Sequence, residues 1–208
     1  MTLYKKGSRG EMVKQIQRAL GGAGFAVLVD GIYWNETYNA VYAFQKANNL
    51  KPDGVVGPAT MALLIPARFK KSTRTINLII VHCTATPEGK DYTIDDIRRW
   101  HKQKGYSDIG YHYIIYRDGT IHEGRAVNIS GAHCEGKNLH SIGIVYVGGL
   151  SRDGKTAKDT RTEAQKVALL NLLLDLKHLY PQAKICGHND FANKACPCFD
   201  AKREYNKL

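Results

Sequence analysis

Near the start of the chain, apolar residues recur every three to four positions. Val13, Ile16 and Leu20 in GSRGEMVKQIQRALGGAGF form one such series, and the glycines behind them predict a helix with a C-terminal stop. Ala40, Val41, Phe44 and Ala47 fall on one face of a second expected helix, from Glu36 to Asn49. A small repeat frames it: Asp30-Gly31 precedes Thr37 by the same interval at which Asp53-Gly54 precedes Thr60, each copy a DG turn before a threonine near a helix start. The stretch Pro66 to Thr75, PARFKKSTRT, is basic and aperiodic, and it reads as a linker.

Beyond it the pattern changes. Ile76 to Val81 is an apolar run of buried-strand length, and HSIGIVYVGG is another. Between them Thr93 caps an expected helix bearing Ile94, Ile97 and Trp100, with Asp96 at the capping-box position and Gly105 at its end. Ile109 to Arg125 predicts strand, Asp118-Gly119 turn, strand. Thr162 with Gln165 opens a long helix whose Val167, Leu170, Leu174 and Leu179 are expected to face a core, with Pro181 past its end. Ala183 to His188 gives a last short strand. Strands and helices alternate, so the expected class is α/β with a mixed central sheet flanked by helices.

Composition changes this picture little. The chain has 208 residues, 43% hydrophobic and 24% charged, enough for a medium domain and a small one. No run approaches the roughly 18 apolar residues of a membrane span, and MTLYKKGSRGEM lacks an apolar signal core, so synthesis in the cytoplasm without a signal peptide is expected. Five cysteines, an odd number, argue for reduced thiols. The net charge of +11 raises nucleic acid as a partner. Residues 1–66 carry seven basic and four acidic residues and the remainder 23 and 15, so the excess is shared. No nucleic-acid motif accompanies it, and attraction to a polyanionic cell envelope explains it equally well. No specific nucleic-acid partner is expected.

The candidate chemistry lies in ICGHNDFANKACPCF, which places His188, Lys194 and Cys196 within nine residues. Zinc takes imidazole and thiolate ligands, and a catalytic site needs three, leaving a fourth position for a reactive water. His82 ends the strand Ile76 to Val81 and His188 follows the last one, so both imidazoles can reach one rim of a sheet, where open sheets place their sites. Cys196 supplies a third ligand, with Cys198 two residues on as an alternative. Cys186 and Cys83 read as packing residues. His133, in the loop SGAHCEG, is a candidate for the substrate or the reactive water, whereas His112 reads as structural and His101, His122, His140 and His178 as ordinary.

The runs HCTAT, RRWHKQKGYSDIGYHYIIYRDGT, HSIGIVYVGG and GHNDFANKACP resemble, in order and spacing, the zinc-dependent N-acetylmuramoyl-L-alanine amidases, a family that includes amidase-type phage lysozymes and shares its fold with peptidoglycan recognition proteins. The resemblance implies Zn2+ on His82, His188 and Cys196, with Tyr111 and Lys194 as catalytic helpers. It implies hydrolysis of the amide between N-acetylmuramic acid and the L-alanine of the stem peptide, acting at the cell wall. GSRGEMVKQIQRAL, DGIYWNETYNAVYAFQKANNL and PDGVVGPATMALL are similar to the three-helix peptidoglycan-binding domain, although that pattern has glycine where Trp34 stands. Tyr33 and Trp34 are candidate wall contacts. The expected organisation is thus a three-helix peptidoglycan-binding domain at 1–66, a linker at 67–75 and an amidase domain at 76–208. The protein is expected to be a monomer whose partner is peptidoglycan. A non-hydrolytic recognition protein, a bacterial autolysin and a secreted amidase toxin are the competing readings.

Overall fold

The helical spacing of the first stretch is realised by α1 (Glu11–Gly22), α2 (Asn35–Ala47) and α3 (Pro58–Leu64). The structure is a computed structural model and describes residues 3–65 and 68–208. The chain divides into two units, residues 1–68 and 69–208, each with its own core.

In the first unit Val13, Ile16 and Leu20 pack with Val41, Phe44, Met61 and Leu64. Ala47 is exposed, contrary to expectation, and the buried polar residues of α2 are Thr37 and Gln45. The sequence repeat has a structural cause. Gln17 donates to Asp30, to the Ile32 carbonyl and to Thr37 at 2.8–3.1 Å, and accepts from the Gly31 N–H at 2.8 Å. Gln45 does the same with Asp53, Val55, Thr60 and Gly54, at 2.8–3.0 Å. Gly31 and Gly54 both take positive φ, 78° and 65°, which suits glycine. Each glutamine therefore ties a DG turn to a threonine three residues into the next helix. A buried amide is tolerated because its donors and its acceptor are engaged. Tyr33, a candidate wall contact, is instead fully buried and donates its hydroxyl to the Gly54 carbonyl at 2.9 Å.

In the second unit β1 (Leu78–Cys83), β3 (Tyr113–Ile115), β4 (Ile121–Glu123), β5 (Ser141–Tyr146) and β7 (Lys184–Gly187) form one sheet in the order β4-β3-β5-β1-β7. All pairs are parallel except β3–β4, the hairpin around Asp118-Gly119. Short β2 (Thr86–Pro87) and β6 (Gly149–Leu150) make a separate pair. The sheet is mixed and flanked by α4 (Ile94–Gln103) and α5 (Glu163–Leu179), with α6 (Ala201–Glu204) at the C-terminus. Both expected capping boxes, Thr93 with Asp96 and Thr162 with Gln165, are present.

Alternation along β1 sends Ile79, Val81 and Cys83 into a core with α5, while Val145 and Ile114, in register beside His82, belong to a cluster with Ile97 of α4. Of the α5 residues expected to face the core, Leu174 is buried and Leu170 and Leu179 pack at its edge, but Val167 does not. Ala168, Leu169, Leu172, Leu173 and Leu176 fill the core, and Val167 is 59% exposed. The run VALLNLLLDL is apolar on nearly every side, so periodicity alone leaves its phase open.

The first strand is displaced from Ile76–Val81 to Leu78–Cys83, which puts His82 inside its last turn of pleat. Of the expected linker, Pro66 and Ala67 lie outside the described residues, and from Phe69 onward the segment is bound to the second unit. Phe69 packs on the Tyr113 ring at 4.9 Å, Ser72 is buried and donates to the Val127 carbonyl, and Arg74 donates to the carbonyls of Val127, Asn138, Leu139 and Ser141. Among the described residues no helix is long and apolar enough to cross a membrane.

Candidate metal centre

β1 and β7 are adjacent, parallel and in register, with Val81 opposite Gly187. The residue that follows each of these is a histidine, His82 still within β1 and His188 just past the end of β7, so the two stand side by side at the C-terminal rim of the sheet. Their Nδ1 atoms stand 3.2 Å apart, and the Cys196 Sγ lies 3.8 Å from His82 Nδ1. One ligand atom from each of the three falls within 4.8 Å of the others. Tetrahedral zinc with Zn–N of about 2.05 Å and Zn–S of about 2.3 Å requires N···N edges of about 3.3 Å and N···S edges of about 3.6 Å. The donor set and its spacing fit that ion.

The loop carrying Cys196 is stapled on both sides of the thiol. The Asn189 N–H donates to the Cys196 carbonyl at 2.7 Å, and the Tyr146 hydroxyl donates to the Pro197 carbonyl at 2.6 Å. The Arg161 guanidinium lies 3.3 Å over the Phe199 ring, held by Asp159 and Glu204. Of the two candidate thiols, Cys198 faces away: its Sγ lies 3.7 Å from that of Cys83 and donates to the Gly149 carbonyl. Their acidities diverge accordingly. The Cys83 side chain and the Cys83 N–H, which donates to Sγ at 3.2 Å, hold the Cys196 thiol below its ordinary value, and the Lys194 charge adds to this. Cys83 is pushed up to about 12 and Cys198 is pushed up as well, each chiefly by its thiol contacts. A ligand thiolate is thus favoured at Cys196. Burial holds His82 well below the imidazole range, and burial followed by Lys194 lowers His188, so both are neutral and able to coordinate at pH 7.

His133, a candidate for the substrate or the reactive water, has its ring against His82. It is buried behind His82, with Nδ1 3.0 Å from His82 Nε2 and Nε2 3.3 Å from the Ser141 hydroxyl. A Cβ on Gly143 or Gly131 would meet its ring at 2.5 and 2.4 Å, so these glycines make the slot in which it sits. If His82 coordinates through Nδ1, its Nε2–H donates to His133, the usual way a second group fixes a ligand's tautomer. No sequence pattern marks this contact, because it joins a loop to a strand 51 residues away.

His112, read as structural, is fully buried: the Gly143 N–H donates to its Nδ1 at 3.0 Å, and its Nε2 lies 3.1 Å from the Ile129 carbonyl. Tyr111 precedes β3 rather than lying in it, and its ring packs 5.2 Å from that of His82. Burial, then the neighbouring thiols of Cys196 and Cys83, raise its pKa, so the phenol stays a donor. His101, read as ordinary, packs 5.3 Å from Tyr111 and accepts from the Gly110 N–H at 2.8 Å. Lys194 is exposed on the metal-side loop, where its charge lowers His82, His188 and Cys196 together.

The family model for N-acetylmuramoyl-L-alanine amidase matches residues 72–199, which holds the whole of this site. The chain belongs to that family. A peptidoglycan binding domain model matches residues 9–64. The amidase is 44% identical to the endolysin of Klebsiella phage KP32 over 140 residues, 67% of this chain and 91% of that protein. It is 42% identical to the endolysin of Escherichia phage T7 over the same shares. Among solved structures it resembles the N-acetylmuramoyl-L-alanine amidase LysC from Clostridium intestinale URNW, with a TM-score of 0.55 and 29% identity over 67% of this chain and 91% of that one. The amidase is therefore a peptidoglycan hydrolase of a modular, endolysin-like kind.

Proposed function

We propose that the amidase works with zinc held by His82, His188 and Cys196, and that it releases the stem peptide by hydrolysing the bond between N-acetylmuramic acid and L-alanine. The observation that carries this reading is the match between the donor spacing, 3.2 Å between nitrogens and 3.8 Å to sulfur, and a tetrahedral site. Bound there, zinc would polarise the scissile carbonyl and acidify a water. Around it the protein's own groups divide the work. His82 is kept in one tautomer by His133, and the Cys196 thiol is made more acidic by Cys83 and Lys194. Tyr111, protonated at every working pH, donates a hydrogen bond from beside His82, and Lys194 offers a positive charge to the oxygen on which negative charge develops. The first unit is read as the wall-binding domain, which concentrates the catalytic unit on a dense polymer of substrate.

Chelation should abolish lysis of sacculi and added zinc should restore it, while Cys196→Ser should lose metal by elemental analysis. Mass spectrometry of the digest should find new L-alanine amino termini and intact glycan. Full activity in a metal-free preparation would refute the zinc mechanism, and new reducing ends would refute the bond assignment.

A further inference from the structure

α2 carries an aromatic stripe of which the core accounts only for the middle ring, Tyr38. Trp34, Tyr38 and Tyr42 stand four residues apart, from the residue capping the helix into its third turn, an interval that brings side chains onto one helix face. Trp34 is 51% and Tyr42 41% exposed, while Tyr38 is half-buried, its ring edge against Gly54. The Tyr38 and Tyr42 rings stack, with centroids 6.4 Å apart and planes 26° from parallel. Cations border the stripe. Lys6 Nζ sits 4.2 Å over the Tyr38 ring, the Arg9 guanidinium 5.6 Å over Trp34, and exposed Lys46 extends the same face one turn beyond Tyr42. The nearest acid on the helix, Glu36, is turned to the Leu28 N–H at 2.9 Å.

We propose that this stripe is the surface by which the first unit grips the glycan of peptidoglycan. The C–H faces of sugar rings stack on exposed aromatic rings, and Lys6, Arg9 and Lys46 meet the carboxylates that the polymer carries. Scattered surface aromatics are ordinary, but a row of three rings runs about 12 Å along the helix, with cations over two of them and the exposed parts of Trp34 and Tyr42 open to a ligand. The same chemistry would suit a single-stranded nucleic acid. The match of residues 9–64 to a peptidoglycan binding domain favours the glycan. The inference rests on the wall-binding reading of this unit and adds the residues and the part of the polymer that they contact.

The full chain would be tested on peptide-free glycan strands, which an amidase cannot cut, with oligo(dT) as the second probe, both at about 150 mM salt, where weak electrostatic binding is largely lost. The wild type should bind the glycan. Trp34→Ala with Tyr42→Ala should weaken that binding on the order of tenfold or more, and Trp34→Phe with Tyr42→Phe should keep it within a few-fold. Circular dichroism should show the fold unchanged, and Tyr42→Ala alone serves if the double variant melts early. A double alanine variant that binds glycan as the wild type does overturns the proposal, as does tighter binding to oligo(dT) than to glycan. Whole sacculi separate the two readings: retention that survives the alanine changes leaves wall binding intact but off this stripe, whereas a wild type that is not retained removes wall binding itself.

Discussion

Acid should destabilise the catalytic unit through His112, and the structure gives the size of the effect. Its Nδ1 accepts the Gly143 N–H at 3.0 Å and so must be bare, while Nε2 lies 3.1 Å from the Ile129 carbonyl and 3.2 Å from the Arg74 guanidinium. Protonation would set one N–H against another and place a second cation beside Arg74. Burial first, then Arg74 and Arg125, hold the imidazole down to about 4, against the hydrogen bond to Ile129, which favours the charged form. The unfolded chain takes its proton near pH 6.5, so this group's contribution is fully present above that pH and is lost as pH falls from about 6.5 to about 4. The slope is about 1.4 kcal/mol per pH unit, or roughly 3 kcal/mol over the window, against a total stability of about 5–15 kcal/mol for an ordinary domain. Buried His133, held at about 3, and His82 and His188 act in the same direction, so the variant must isolate His112. His112→Asn keeps an acceptor for Gly143 and loses the Ile129 bond, a pH-independent cost of about 1 kcal/mol. The assay is urea unfolding in chelator at several pH values, followed by Trp100 fluorescence in a Trp34→Phe background, since the chain has two tryptophans and only Trp100 lies in the second unit. The variant should be the weaker protein at pH 7.5 and should draw level with the parent by about pH 5.5. Parallel curves from pH 7.5 to 4.5 would refute the reasoning.

The catalytic helpers should separate from the metal: Tyr111→Phe and Lys194→Ala should retain zinc and lower kcat by about 10²- to 10³-fold with a smaller change in KM, and a variant with parental kcat loses its assigned role. Arg161 is almost fully buried between Asp159 and Glu204, both partly open to water, so Arg161→Met should cost about 2–3 kcal/mol in urea titrations and loosen the Cys196 loop, seen as faster hydrogen exchange at residues 196–199. In the first unit Gln17→Leu and Gln45→Leu each strand the partners of a buried amide, and thermal unfolding should place both about 2–4 kcal/mol below the parent. A mild effect at one and a severe effect at the other would mean that the two networks are not equivalent.

What could be read in the sequence was whatever a single element encodes. Both capping boxes, the hairpin at Asp118-Gly119 and the buried strands follow from local spacing, and the two histidine-ended strands suffice to suggest one rim. The centre of the α5 face was not legible, because a helix with leucine on every side lets the sheet choose it: Leu169 and Leu172 fill the middle, the expected Leu170 and Leu179 lie at the edge, and Val167 is exposed. Tyr33 illustrates a different limit: an aromatic beside a turn can stack on a ligand or plug the core, and only the position of the Gly54 carbonyl decides. Likewise Asp30 and Asp53 are visible as a repeat, but their glutamines are not, since Gln17 precedes its aspartate by 13 residues and Gln45 by eight.

The choice between Cys196 and Cys198 shows how the fold converts a local ambiguity into chemistry. Cys83 follows His82 in an extended strand, so its side chain must leave the opposite face of the sheet, while its N–H remains at the rim beside His82 and His188. A loop closing over that rim can therefore bring one thiol to the amide and the next toward the buried thiol, and positions 196 and 198 take these two places. The first thiol gains a donor and is held acidic; the second meets sulfur and a carbonyl, and is held protonated. Two cysteines two residues apart are thus pushed in opposite directions by a single strand. The selection depends on the parallel register that sets His82 beside His188, since a one-residue slip of β1 would turn the Cys83 side chain to the ligand face and His82 into the α5 core.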